Sequence, residues 1–237
     1  MSRVDFDHVV VVVPAHNEVC ALPDCLTALL AAAARVDLPV TVIVVLDACD
    51  DGSSALADRF GPTVHFLPIE AHNVGKARAA GFSYARARFG DGLTWYATTD
   101  ADSRVDANWL LRQLTAQADM VLGVVRINNW RDIPAAAARR YLRAYHAKIH
   151  RDRGGHEHIH GANMGFAADA YWHVGGFTEQ ATGEDVDLVR RFEAAGYRIR
   201  RDTRLSVVTS ARQIGRAPAG FAAHLRGALA RPARDSA

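Results

Sequence analysis

Apolar positions along this chain fall into two alternating rhythms. Residues 8–13 are His8 followed by five valines. A β-branched run with no polar face predicts a strand buried on both sides, as in a parallel sheet. Over residues 18–34 the period changes. Leu22, Leu26, Leu29 and Leu30 recur at helical spacing, with Asn17 available as N-cap and Glu18 favourable to the helix dipole. Pro39 resets the chain, and residues 40–46 predict a second buried strand. The pattern then repeats: a helix capped by Ser53 or Ser54 and running to about residue 60, a strand over 63–67, an alanine-rich helix over 74–88 and a strand over 93–98. A helix capped by Asp106 runs through Gln117, and a strand covers 120–125. Such alternation predicts an α/β fold with a doubly wound, mostly parallel sheet.

After Trp130 the rhythm loosens. Residues 135–149 predict a long helix, 151–160 a polar loop, and 161–166 a short strand or turn. Residues 184–195 predict a helix closed by Gly196 in the left-handed conformation. Short strands are expected at 197–199 and 205–208, and a frayed tail after Arg231. No internal repeat is visible.

Composition narrows the function classes. With 237 residues, 49% of them hydrophobic, the chain can build one sizeable core. The 28 basic and 26 acidic residues nearly balance, and no basic stripe interleaved with aromatics exists, which excludes a nucleic-acid binder. The three cysteines, Cys20, Cys25 and Cys49, are too few and odd in number for a disulfide framework. No secretory signal and no span of membrane length is present. A cytoplasmic protein without a transmembrane segment is expected, with homo-oligomerisation left open.

The polar clusters fall at predicted strand ends, where sheets of this type bind ligands. Asp100 and Asp102 directly follow the strand over 93–98. Two carboxylates so placed repel each other unless a divalent cation takes oxygen ligands from both, which reads as a metal–diphosphate site. A turn with two solvated aspartates is the plainer alternative. Pro14-Ala15-His16-Asn17-Glu18 follows the first strand, and Glu18 can accept from a base or ribose. Asp47 ends the second strand, where a carboxylate can hold a ribose hydroxyl or a base N–H. Asp50-Asp51-Gly52-Ser53 beyond it suits a turn and cap. Before the third helix, Gly75 permits close backbone approach, while Lys76 or Arg78 can neutralise a diphosphate or orient Asp100. Group transfer to a hydroxyl needs a base that takes the hydroxyl's proton. Asp185 suits that role, with Glu184 beside it to raise its pKa; complementing a helix dipole is the alternative for both.

In order, Pro14-Ala15-His16-Asn17-Glu18, Asp47, Asn73-x-Gly75-x-x-Arg78, Asp100-x-Asp102 and Gly183-Glu184-Asp185 resemble the family 2 glycosyltransferases of the GT-A fold, over roughly residues 8–200. The resemblance implies one GT-A-like domain over 1–237. Its first half, about 1–125, would hold the nucleotide sugar, and its second, about 126–237, the acceptor. Pro14, His16, Glu18, Asp47, Asn73, Lys76, Arg78 and Asp100 would bind the donor. Asp102, with Asp100, would bind Mg²⁺ or Mn²⁺. Asp185 would be the base, and Gly161-Ala162-Asn163-Met164 and Gly175-Gly176-Phe177 would shape the sugar and acceptor pocket. The implied reaction is metal-assisted, inverting transfer from a nucleotide diphosphate sugar, UDP-linked by default, to an unknown hydroxyl acceptor.

Two departures qualify it. Gln213-Ile214-Gly215-Arg216 is followed by Ala217 where processive synthases carry Q-x-x-R-W, so the enzyme reads as non-processive. Some GT-A enzymes place a metal-binding histidine after the last strand; this chain has Thr209-Ser210-Ala211-Arg212 there, with His224 a poor substitute. Arg212 and Arg216 read as a solvated basic face or diphosphate contacts. His146 and His150, at i and i+4 on the long helix, suit zinc, but no third ligand is fixed by spacing. A covering loop with His160 lining the pocket is the stronger reading of the 146–160 histidines. Among rivals, a nucleotidyltransferase needs a glycine-rich basic loop where this chain has Pro14 to Glu18. A Rossmann dehydrogenase needs G-x-G-x-x-G. A non-catalytic nucleotide-sugar binder would not need both Asp102 and Asp185.

Overall fold

The computed structural model describes residues 6–90, 92–127, 130, 133–150, 155–180 and 182–209. The valine run forms β1 (His8–Ala15), and β2 (Val40–Asp47), β3 (Val64–Ile69) and β4 (Thr94–Thr98) follow in the same direction. The main sheet continues with β5 (Ser103–Val105), β6 (Met120–Ile127), β9 (Met164–Ala167) and β10 (Ile199–Thr209). Its order is β3-β2-β1-β4-β9-β6-β10-β5. A separate two-stranded ribbon joins β7 (Ile149–His150) to β8 (Gly155–His156).

Register aligns the ends that matter. Val12 lies opposite Thr98, Ala15 opposite Leu46, and Asp47 opposite Ile69, so β1, β2, β3 and β4 all end on one rim. β9 runs antiparallel to both neighbours and pairs Met164 with Thr98. Its entry segment, residues 161–163, therefore arrives at the same rim. The helices α1 (Leu22–Ala33) and α2 (Val74–Phe89) flank the first half, and α3 (Trp109–Leu114), α4 (Ala135–Ala147), α5 (Ala168–His173) and α6 (Glu184–Ala194) serve the second. Val9 to Val13 have no exposed surface, as a strand covered on both faces requires.

Several expected elements differ in detail. The first helix begins at Leu22, not Glu18, because Asn17 adopts φ 56° and Pro23 sets the first turn; Asn17 is not its cap. The helix after Asp106 stops at Leu114, ahead of Gln117 at φ 52°. Asp106 accepts from the Asn108 N–H at 2.9 Å, just outside that helix. The two strands expected near 197–199 and 205–208 are one strand, β10, with a register irregularity between Arg201 and Ser206. The long helix ends at Ala147, so His150 lies in β7 and does not share a helix face with His146. The tail, Arg212, Gln213, Arg216 and His224 lie outside the described residues.

A second, small cluster of Ile133, Ala137, Ala138 and Tyr141 packs apart from the main core. Inside the main core two amides order the indoles. Gln113 Oε1 accepts from Trp95 Nε1 at 2.8 Å, and Asn163 Oδ1 accepts from Trp109 Nε1 at 2.8 Å. Gly165 of β9 makes room for the first pair: a Cβ there would stand 2.0 Å from Gln113 Oε1 and 2.7 Å from Trp95 Nε1. Gln113 is only 1% exposed and cannot swing clear. Gly165→Ala is therefore expected to lower the unfolding free energy by about 1–3 kcal/mol, as overpacked cores do, measured by urea titration.

Candidate active site

Three loops at the rim are stitched together before any ligand enters. Asn17 Nδ2 donates to Asp50 Oδ1 at 2.7 Å, and the Asp50 N–H returns a bond to Asn17 Oδ1 at 2.9 Å. Asp51 accepts from the Val19 N–H at 2.8 Å and from the Ser53 hydroxyl at 2.6 Å. Burial works against its charge, but these bonds hold its carboxyl below the usual range. His16 Nδ1 lies 2.7 Å from the Asp47 carbonyl; a carbonyl only accepts, so Nδ1 carries a proton, and in the neutral ring Nε2 is the acceptor. Asp47, 5% exposed, accepts from the N–H groups of Ala71, His72 and Asn73 at 2.6, 2.8 and 2.8 Å. Its carboxylate thus shapes the β3–α2 loop. Asn17, Ala48 and His72 have φ of 56°, 51° and 48°. Left-handed non-glycine residues store strain and cluster at functional sites.

The start of α2 is committed elsewhere than its sequence suggests. Asn73 Oδ1 caps the helix by accepting from the Lys76 N–H at 2.9 Å, and its Nδ2 donates to the Glu179 carbonyl at 3.2 Å. Lys76 Nζ pairs with Glu179 at 2.9 Å. A Cβ on Gly75 would lie 2.5 Å from the Thr178 carbonyl. These residues clasp the segment leading to α6.

Arg78 projects into the centre of the rim. Its side chain is 3% exposed; Nη2 donates to Asp100 Oδ1 at 2.7 Å, Nη1 donates to Glu184 Oε1, and Nε donates to Thr98 Oγ1 at 3.3 Å. Burial pulls its pKa down, but Asp100, Glu184 and Asp185 more than reverse that and hold it charged. Glu184 is 6% exposed, its carboxylate spent on Arg78. Asp185 is half-buried; its Oδ2 accepts from the Gly161 N–H and its Oδ1 from the Val186 N–H, both at 2.8 Å.

The aspartate pair sits alongside. Burial pushes the Asp100 carboxyl up to about 6; Arg78 opposes the rise, while Asp102 and Glu184 add to it. The side chain keeps 38% of its surface open, so water moderates that rise. Thr209, at the end of β10, donates to Asp102 Oδ1 at 3.4 Å and accepts from Ser103 Oγ at 3.0 Å. In sequence Thr209 stands out only as the residue that is not a histidine there. Its place directly after an apolar strand run was the available signal. The buried Cys25 thiol, donating to the Asp100 carbonyl at 3.5 Å, is pushed up by burial and by the charges of Asp100, Asp102 and Glu18. Among the described residues no group of three or more His, Cys, Asp or Glu is placed to hold a metal ion. Two carboxylates nonetheless fit a hard cation that keeps waters and takes its other ligands from phosphate.

The expected pocket wall divides. Gly161 and Ala162 are at the rim, but Asn163 has no exposed surface, and its amide donates to the Val124 and Leu205 carbonyls at 2.9 and 3.0 Å. It braces β9 from behind. Gly176, at φ 66°, packs on the Tyr171 ring and gives its carbonyl to Arg191 at 2.6 Å. His160 Nε2 lies 3.3 Å from the Tyr145 hydroxyl, and that hydroxyl also accepts the Val125 N–H at 2.9 Å. Of the neighbouring histidines, His150 contacts Glu157, His156 the Leu122 carbonyl and His158 the Tyr145 carbonyl, its ring 3.7 Å from that of Tyr145; the His158 ring also stacks between those of His156 and His160.

Burial holds the His158 imidazole down to about 4 from an ordinary 6.5, and lowers His156 likewise. A depressed histidine stabilises the fold fully above its unfolded value, and that contribution is lost as pH falls from 6.5 toward 4. Urea midpoints should therefore drop between about pH 7 and about pH 4.5. The drop should be shallower in His158→Phe, which keeps a flat ring on Tyr145.

No curated protein sequence matches the chain with significance. Solved structures do match in fold. S. aureus TarS residues 1–349, in complex with UDP-GlcNAc, superposes with a TM-score of 0.63 at 14% identity, over 90% of this chain and 61% of that one. The mannosyltransferase PcManGT from Pyrobaculum calidifontis, in complex with GDP-Man and Mn²⁺, gives 0.63 at 20% identity, over 87% and 58%. This chain thus spans about three fifths of the length of those two chains, and 36% of the longer TarS chain. The sequence pattern described as Glycosyl transferase family 2 matches residues 10–175. The chain, with its mostly parallel sheet and acidic rim, belongs to glycosyl transferase family 2.

Proposed function

We propose that this domain moves a sugar from a nucleoside diphosphate to an acceptor hydroxyl in a single, inverting step. The observation that carries the reading is the placement of Asp100 and a half-buried Asp185 around one guanidinium: Asp100 pairs with Arg78, and Asp185 accepts from Gly161, which packs on Arg78. The strained, cross-linked loops at Pro14, His16, Glu18 and Asp47 would receive the nucleoside. His16 Nε2 offers an acceptor to a base N–H or a ribose hydroxyl. Each Asp185 oxygen accepts one backbone N–H and retains a second lone pair. Asp185 takes the acceptor's proton as the hydroxyl oxygen bonds to the anomeric carbon. The bond from that carbon to the diphosphate oxygen breaks, and its electron pair leaves with the diphosphate.

Asp102 and Asp100 would hold Mg²⁺ or Mn²⁺, which would neutralise charge on the departing diphosphate. Asp102 and Glu184 both raise the Asp100 carboxyl, and a cation at the aspartate pair would relieve that repulsion. PcManGT is in complex with GDP-Man and Mn²⁺, and TarS with UDP-GlcNAc. A UDP-sugar is our first choice for this chain and a GDP-sugar the second, with transfer non-processive.

Donor hydrolysis across a panel of UDP- and GDP-sugars, with Mn²⁺ or with chelator, tests this reading. We expect turnover of at least one donor that chelator suppresses. Asp185→Asn should lower kcat by about 10²–10⁴-fold, and Asp102→Asn should weaken Mn²⁺-dependent nucleotide binding. A panel with neither turnover nor metal-dependent binding sinks the proposal.

A further inference from the structure

We propose that Arg78 is a positioning residue that fixes the catalytic helix against the aspartate pair, with Glu184 as its counter-charge and not a base. This rests on the transferase reading above and adds a coupling to it. Arg78 spans the two groups: one end of its guanidinium meets Asp100 at 2.7 Å and the other meets Glu184. Thr98, the last residue of β4, holds Nε at 3.3 Å. With 3% of its side chain exposed, Arg78 offers almost no surface to a diphosphate.

The contacts close a ring. Glu184 and Asp185 are neighbours on the first turn of α6. Arg78 grips Glu184, while Asp185 Oδ2 grips the Gly161 N–H at 2.8 Å. Gly161 in turn lies flat on the guanidinium, where an added Cβ would stand 2.7 Å from Cζ. The carboxylate that receives the acceptor proton is therefore set by two chains of contact that both begin at Arg78. Only a planar, forked cation can serve both carboxylates while presenting a flat face to Gly161. A lysine ammonium keeps the charge but reaches one partner as a point donor. The buried pair also explains why Glu184 is unsuited to proton transfer: protonating it would leave Arg78 short of one counter-charge in a dry site.

Three variants test this by separating binding from turnover. Binding is read as the Kd of UDP with Mn²⁺, or of GDP with Mn²⁺ where a GDP-sugar is the donor, and turnover as kcat for donor hydrolysis. Arg78→Lys and Gly161→Ala are expected to lose about 100-fold in kcat, the scale of a 1 Å misplacement. Their nucleotide Kd should stay within about threefold of the parent. Glu184→Gln keeps an oxygen for Arg78 and should lose only about tenfold, far less than Asp185→Asn. Nucleotide affinity in Arg78→Lys that falls in step with kcat would make Arg78 a diphosphate ligand and overturn the proposal. So would a loss in Glu184→Gln equal to that in Asp185→Asn. If Arg78→Lys does not fold, Gly161→Ala, which changes no charge, decides alone, and parental kcat there overturns the coupling. A parent protein that hydrolyses no donor and binds no nucleotide fails the transferase reading instead, which these ratios do not address.

Discussion

A guanidinium that almost no water reaches must keep its charge matched, because an isolated buried ion costs several kcal/mol even after the protein relaxes around it. In this chain that demand falls on Arg78, and it ties together residues far apart in sequence. Asp100 comes from the end of β4, Glu184 from the start of α6, and Gly161 from the approach to β9. None of the three can shift alone without leaving a charge unpaired or a contact too short. The acidic rim is therefore arranged around a positive centre, and the repulsion among its carboxylates is partly offset from within the fold.

The side of the rim formed after β1, β2 and β3 obeys a different constraint. Its loops are held by hydrogen bonds that cross between β1 and β2 and between β2 and β3, through Asn17, Asp51 and Asp47. Those bonds support Asn17, Ala48 and His72 in left-handed conformations that would otherwise relax. Strain of about 1–3 kcal/mol per such residue persists only where surroundings over-determine it. Shape at this end is set in advance, at a cost to overall stability.

Hydrophobic rhythm made the parallel half legible, since β1, β2 and β6 each carry an apolar run and α1 carries leucines at helical spacing. Family 2 membership was legible too, from the order of its polar clusters. Three things were not. Short elements such as β5 and α5 take their form from neighbours more than from their own residues. Asn163 looks like a pocket residue in sequence, yet its amide bonds backbone in the core, because what it satisfies is tertiary. The α2 motif reads as a donor grip, but Asn73, Gly75 and Lys76 meet residues 178–180, more than a hundred positions away. A spacing rule names the residue type that a site needs; it does not name the partner.

The position of β9 has a consequence for how the protein is made. This strand lies between β4 and β6 in the sheet, yet follows both in the chain. While the polypeptide emerges from the ribosome, β4 with Trp95 and Tyr96 must wait several seconds, at ordinary elongation rates, for residues 164–167 to appear. Until then the sheet has an open hydrogen-bonding edge in its middle, the kind of surface on which nascent chains pair wrongly. The strand that brings Gly161 to Asp185 is thus also the one that seals the sheet. The closed edge of β4 and the bond from Gly161 to Asp185 both depend on this one short strand.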